Sequence, residues 1–461
     1  MLVNPLRKLS SLARGMGQGI FGYAPCPLLS DETLNHIFLL VEQFTRDEWD
    51  QELETEQEMV YLGLDLSHVS RQWRRVALRT PSLWSGIRIC QCEQPRASRV
   101  TLPKSTRHFL RYSSPLLLYL TVSAENYRIL EHFPVLRVRS LVIYGTHEAI
   151  YDASVQWVTE FPALEDLIVE VSPPPPPPPT HDLERLTPVV GNDFFDLFPS
   201  MTWLTLRNVY DIPDFQRISG LRRLTWTMDP ECELNSLSLF PFHDLTHIRY
   251  LELDVPNLTG GWFRIAKTLE EVVFKNAGPT IMNSLRKAFP PRLTSFTITS
   301  SEDITFGLLH FLNWRGQILR KLSLSLVDIQ SGFWHGFLLH VPNVTTLEVG
   351  FTPTLKVPEP LNELMDALAL HKGDTVLVPM LSELRLAGDV LSRIARVVDF
   401  LRVRHQESEM MATMQRIEQV EGLVLPPGYF KFIPELLAQE LESLVLVSSD
   451  AALNRLVDPH F

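Results

Sequence analysis

The chain is 461 residues long, 45% apolar and 21% charged; that is enough apolar mass for two or three domains or a long repeat array, and it excludes disorder throughout. A formal net charge of -12 repels phosphate polyanions at long range, so no nucleic-acid partner is expected. No apolar run reaches the roughly 18 residues of a membrane span; "PLLLYLTV" stops short, and no membrane partner is expected.

In chain order, residues 1–26 carry Arg7, Lys8 and Arg14 without an acid, but Gly15, Gly17, Gly19 and Gly22 weaken any helix there. A disordered tail is expected. In "SDETLNHIFLLV", Ser30 is placed to cap a helix, Asp31 and Glu32 suit its positive end, and Leu34, Ile37, Phe38 and Val41 share one face. Residues 42–61 then concentrate acids and read as a solvated insertion. A second helix follows in "LSHVSRQWRRVALRTPSLWSGI": Val69, Trp73, Val76 and Ala77 form its stripe, Arg71, Arg74, Arg75 and Arg79 lie mostly off it, and Thr80-Pro81 ends it. Four cysteines, of which Cys90 and Cys92 are close in sequence, fit reduced thiols in an intracellular protein, cytoplasmic or nuclear, better than a disulfide framework.

From about residue 130 one phrase recurs: an apolar residue, two polar ones, then apolar-x-apolar, often introduced by Phe-Pro or Val-Pro. It appears as "LEDLIV" after Phe161-Pro162 and "MTWLTL" after Phe198-Pro199, then "LRRLTW", "IRYLEL" and "LEEVVF". It continues as "LTSFTI" after Phe289-Pro290, "LRKLSL", "VTTLEV" after Val341-Pro342, "LSELRL" after Val378-Pro379, "VEGLVL" and "LESLVL". The starts, Leu164, Met201, Leu221, Ile248, Leu269, Leu293, Leu319, Val344, Leu381, Val420 and Leu441, are mostly about 20 to 27 residues apart. On a short strand the last two apolar residues of the phrase point to one side, and stacked units cover that side together. Helical patterns fall between the strands, in "LNELMDALALH" and at Val390, Leu391, Ile394, Val397, Val398 and Leu401, with Asp389 a possible cap.

The spacing and phrase resemble leucine-rich repeats. That resemblance implies a solenoid with parallel short strands on its concave side and helices or loops outside. The family places Asn or Cys three residues after the last strand leucine, whereas this chain has Val209, Asp229, Pro256, Ala277, Val327, Thr352 and Asp389 there. An irregular array is therefore expected. The proline run at 172–180 favours a stiff, extended loop bulging from it.

The two early helices together resemble an F-box. Leu29, Glu32, Leu34, Ile37 and Phe38 match its first half, and Val69, Trp73, Arg74, Pro81, Leu83 and Trp84 its second. Ser30 stands where the family has proline, and the acidic insertion is longer than usual, which an exposed loop tolerates. The "TPSLW" ending is similar to large fungal sets of F-box proteins. The resemblance implies an α/β chain with a helical F-box at 27–90 and a solenoid at 91–461. It further implies a substrate-recognition subunit of an SCF-type (Skp, cullin, F-box) E3 ubiquitin ligase, docking on a Skp-type adaptor and through it on a cullin-RING complex. The adaptor-binding candidates are Leu29, Leu34, Ile37, Phe38, Val69, Trp73, Leu83 and Trp84, each either a contact or local core. The alternative is a leucine-rich-repeat scaffold whose N-terminal helices only cap the solenoid.

An unknown protein substrate would meet the outward strand residues, among which Trp203, Arg207, Arg223, Tyr250, Lys275, Lys321 and Arg385 are the candidates. No nucleotide-binding or hydrolase motif and no metal-ligand spacing stands out. Glu270-Glu271, adjacent on an expected strand, would face opposite ways. A non-catalytic subunit without metal or cofactor is the expectation.

Overall fold

A computed structural model describes residues 29–49, 62–89, 102, 104–172, 190, 193–209, 215, 218–229, 247–255, 267–278, 290–300, 303–326, 332–351, 359–369, 377–387, 397, 399–404 and 419–421. The expected tail, all four cysteines, most of the acidic insertion, the proline run after residue 172, the last repeat phrase at Leu441 and the proposed cap Asp389 lie outside these residues. The chain divides into two compact units, residues 1–175 with 188–202, and residues 176–187 with 203–461.

The first unit begins with three helices, α1 (Asp31–Trp49), α2 (Leu62–Val69) and α3 (Arg71–Leu78), and a 3₁₀ turn at Pro81–Trp84. Ser30 Oγ accepts the Thr33 N–H at 3.1 Å and Ser70 Oγ the Trp73 N–H at 3.1 Å, so both hydroxyls satisfy donors that a helix start leaves orphaned. Helix α1 runs eight residues past Val41, into the acidic segment expected to be a separate insertion. After the turn come β1 (Gly86–Ile89), α4 (Lys104–Tyr112), β2 (Leu118–Ser123), β3 (Val138–Gly145), α5 (His147–Gln156) and β4 (Asp166–Val171). Strands β1 to β4 pair in chain order, all parallel. Three of them precede Leu164, where the first named phrase opens: β1 falls inside the segment assigned to the helical module, β2 is the apolar stretch "PLLLYLTV", and β3 carries no named phrase. Trp157, Phe161, Phe194 and Phe198 form an aromatic cluster with ring centroids 5.1 to 6.2 Å apart, mostly edge to face, with Phe161 tilted on Phe198.

The second unit contains β5 (Trp203–Arg207), β6 (Arg223–Thr227), β7 (Tyr250–Asp254), β8 (Glu271–Lys275), β9 (Ser295–Ser300), α6 (Thr305–Arg315), β10 (Lys321–Leu326), α7 (Phe333–Leu338), β11 (Thr346–Phe351), α8 (Glu359–Ala369), β12 (Glu383–Ala387) and β13 (Gln419–Glu421). These strands also pair parallel in sequence order, the arrangement of a solenoid-like α/β fold. The register aligns the repeat phrases position by position. One core row is Leu204, Leu224, Leu251, Val272, Phe296, Leu322, Leu347 and Leu384; the next is Leu206, Trp226, Leu253, Phe274, Ile298, Leu324, Val349 and Leu386. All sixteen are at most 1% exposed.

The residue that opens each phrase is set by a turn. Leu164 N–H bonds Phe161 O, Met201 bonds Phe198, Val344 bonds Val341 and Leu381 bonds Val378, each across three residues with proline second in the turn. Proline's fixed φ favours that second position, which is why Phe-Pro and Val-Pro introduce the strands. At Leu293 the acceptor is Pro290 O, so the second proline, Pro291, takes the role. The phrase beginning at Val420 is corrected in register: Val420 pairs with Leu384, the fourth position of its phrase, in a described strand Gln419–Glu421, and the leucines that follow lie outside the described residues.

The missing asparagine has a structural counterpart one residue earlier. Asn208 and Asn276, directly after β5 and β8, adopt left-handed backbone conformations with φ of 55° and 53°, which asparagine tolerates better than most residues. Asn208 Oδ1 accepts the Asp229 N–H at 2.8 Å and Asn276 Nδ2 donates to Asp254 Oδ1 at 2.7 Å, each tying its turn to the neighbouring strand end. The expected ladder positions Val209 and Ala277 are buried, and their carbonyls accept Trp226 Nε1–H at 2.9 Å and Ser300 Oγ–H at 2.6 Å.

Candidate functional site

Two surfaces carry the residues singled out in the sequence, one in each unit. In the helical module the eight adaptor candidates separate into three groups. Leu34, Phe38, Leu83 and Trp84 are buried. Ile37 and Trp73 are half-buried, the latter edge to face with Phe38 at 5.2 Å. Leu29 and Val69 are exposed, at 45% and 39%.

Trp84 is the hub of the buried group. Its indole N–H donates to Ala77 O at 2.8 Å, and its ring meets Phe109 and Tyr112 of α4, each at 5.1 Å. Gly63 on α2 packs so closely that a Cβ there would lie 3.0 Å from both Leu83 O and the Trp84 ring. The hub therefore closes against the unit's own following helix.

The rim of the module includes two residues that the sequence reading left out, Leu39 and Leu40, 39% and 42% exposed. They adjoin Phe38 but lie off its stripe, and the unbroken "FLLV" run was the available signal. Gln72 Nε2 donates to Leu29 O at 2.7 Å, which holds Leu29 to the first turn of α3, close in sequence to Val69. Arg75 donates to both carboxylate oxygens of Asp31, at 2.8 and 3.1 Å, and Gln72 adds a third bond at 3.1 Å. These bonds, Arg75 first, hold the Asp31 carboxyl below its ordinary range. Arg74 Nε donates to Ser67 O at 3.0 Å. Arg74 and Arg75, off the apolar stripe, thus lace the three helices together.

In the second unit the seven substrate candidates occupy the sheet face opposite the core. Register places Trp203, Arg223, Tyr250, Glu271, Ser295, Lys321, Thr346 and Glu383 in one row across adjacent strands. Lys321 is five strands from Trp203, about 24 Å at the usual strand spacing. The Arg223 guanidinium lies 4.3 Å from the Trp203 ring centroid and 4.7 Å from that of Tyr250. The Tyr250 hydroxyl donates to Glu252 at 2.7 Å, and burial first, then that carboxylate, pushes its ionisation well above the ordinary phenol range. Lys275 pairs with Glu252 at 2.7 Å. Arg385 is held by Glu383 on its own strand, Nε at 2.7 Å and Nη2 at 2.5 Å. Arg207 stands two positions along β5 from Thr205, which is buried on the same face.

Beside this row lies an open groove of about 510 Å³ bordered by Arg222, Arg223, Arg249, Tyr250, Glu270 and Glu271. The expectation that Glu270 and Glu271 face apart is corrected here. Strand β8 starts at Glu271, so Glu270 stands just before it and borders the same groove. Arg249 Nε is 3.9 Å from Glu270, and Glu271 accepts the Ser295 hydroxyl at 3.2 Å. Among the described residues no group of three His, Cys, Asp or Glu could hold a metal ion, and no helix is long and apolar enough to cross a membrane. No model of a known protein family matches the chain, and no curated protein matches it.

Proposed function

We propose that this chain is the non-catalytic substrate-recognition subunit of an SCF-type E3 ubiquitin ligase: its N-terminal helices form an F-box that docks on a Skp-type adaptor, and its leucine-rich-repeat sheet face holds a protein substrate. The observation that carries this reading is the exposed apolar rim. Leu29, Leu39, Leu40 and Val69 stand in solvent on a small helical module whose hub is already closed, beside the half-buried Ile37 and Trp73. Several large apolar side chains left in solvent on so small a helical module are what a partner surface would cover.

The other reading, helices that only cap the repeats, draws support from Trp84, which packs on Phe109 and Tyr112 and leads directly into β1. A cap accounts for the closed hub but gives the rim no task. The test is co-purification of the full chain with a purified Skp-type adaptor. Leu39→Ser with Leu40→Ser alters solvent-facing positions, so the melting temperature is expected to hold while adaptor recovery falls at least tenfold. Ile37→Ala with Trp73→Ala cuts deeper and is expected to abolish it. Failure of the wild-type chain to bind the adaptor, or unchanged recovery of both double variants, favours the scaffold.

A further inference from the structure

We propose that the Arg223 guanidinium is a receptor for a carboxylate side chain of the protein bound on the sheet face. The proposal rests on the reading that this face holds the partner; it does not require the adaptor. Three consecutive strands bring Trp203, Arg223 and Tyr250 side by side, although they are far apart in sequence. With a ring 4.3 Å away on one strand and another 4.7 Å away on the next, the guanidinium is held by its aromatic neighbours. Its in-plane N–H donors are the groups that rings do not satisfy.

Two other cations of the sheet face differ in this respect. Lys275 spends its charge on Glu252, and Arg385 on Glu383. Arg223 is exposed, and among the described residues no carboxylate pairs with it. A guanidinium flanked by two rings keeps a planar fork that matches a carboxylate through two parallel hydrogen bonds, and its neighbours reduce what is left to order on binding.

The charge around the groove selects among anions. Arg222, Arg223 and Arg249 border it together with Glu270 and Glu271, a balance of one positive charge. A planar monoanion completes that balance, whereas a phosphate dianion overshoots it and meets both glutamates. The Trp203 and Tyr250 rings meanwhile give the methylenes of a glutamate side chain an apolar wall. The Tyr250 hydroxyl, donated to Glu252, stays protonated and adds no negative charge.

Fluorescence anisotropy with the purified full chain tests this, using dye-labelled Gly-Glu-Gly-Glu-Gly-Glu-Gly, its glutamine counterpart and its phosphoserine counterpart at low ionic strength. The glutamate peptide is expected to bind at least tenfold more tightly than the other two. Arg223→Lys, which keeps the charge but loses the fork, is expected to weaken it at least tenfold, with an unchanged circular-dichroism melt confirming the fold. Arg223→Gln, read in parallel, is expected to lose as much or more. Absent binding by the wild-type chain, equal binding of the glutamine peptide, tighter Arg223-dependent binding of the phosphoserine peptide, or undiminished binding by Arg223→Lys overturns the proposal. No adaptor is present in this assay, so its failure and a failed adaptor co-purification are separate results.

Discussion

In the helical module Leu39 and Leu40 stand in solvent directly beside the fully enclosed Phe38, whereas along β5 to β12 both core rows are closed without exception and the opposite face is mostly polar. Each repeat strand covers its neighbour's apolar side, so the array completes its own core by stacking. The helices have too little mass to do so all round. They close a hub about Trp84 and leave an apolar rim. Burial divided in this way makes the hub a matter of stability and leaves the rim to the proposed adaptor.

Trp84→Ala presses hardest on that division. Trp84 is 1% exposed, donates its indole N–H to Ala77 O and touches two rings of α4. Removing a buried tryptophan typically costs about 3 to 5 kcal/mol, and the orphaned Ala77 carbonyl adds to the loss. Denaturant unfolding followed by circular dichroism should show a drop of that size, with the helical module lost first. A drop under about 1 kcal/mol would mean that Trp84 is no hub.

In the repeat region the matching weak point is a close backbone approach rather than a large side chain. Gly316 follows α6 with ordinary helical φ, so its conformation does not demand glycine. Its neighbour does: a Cβ there would run into the His340 carbonyl, which is backbone and cannot swing aside. Gly316→Ala is expected to destabilise the second unit by about 1 to 3 kcal/mol, the usual range for overpacking. The same denaturant titration reads it, and adaptor recovery should not change.

Much of the strand architecture was legible because the phrase L-x-x-L-x-L encodes a face, and Phe-Pro or Val-Pro encodes the turn before it. The strands β1 and β2 were not legible for opposite reasons. "GIRI" is too short to show a period, and "PLLLYLTV" has too many apolar residues in succession to alternate. Val420 was misplaced because "VEGLVL" offers two apolar registers and nothing local chooses between them; pairing with β12 does. The sheet-face candidates were legible as outward positions. That Arg223 falls between Trp203 and Tyr250 while Lys275 and Arg385 are neutralised depends on interstrand register and rotamers, which no single strand records. The adaptor candidates could be named but not sorted, because one periodic stripe includes the enclosed Phe38 and the half-buried Ile37.

The smallest expected effect concerns the seam that joins α1 to α3. Arg75 and Gln72 hold the Asp31 carboxyl below its ordinary value near 3.8, so the folded chain binds the ionised form better than the unfolded chain does. The sign follows from linkage: the resulting stabilisation is fully present above that ordinary value and fades as pH falls through the depressed folded one. Both partners are solvent-exposed and screened, which keeps the effect slight. Asp31→Asn should therefore lower the unfolding midpoint of the helical module a little at pH 7, and the gap from the wild type should close toward pH 2 as the native carboxyl takes up its proton. A gap that stays constant with pH would assign the difference to something other than the ionised carboxylate, leaving the Arg75 charge without a role in fastening the rim-bearing helix.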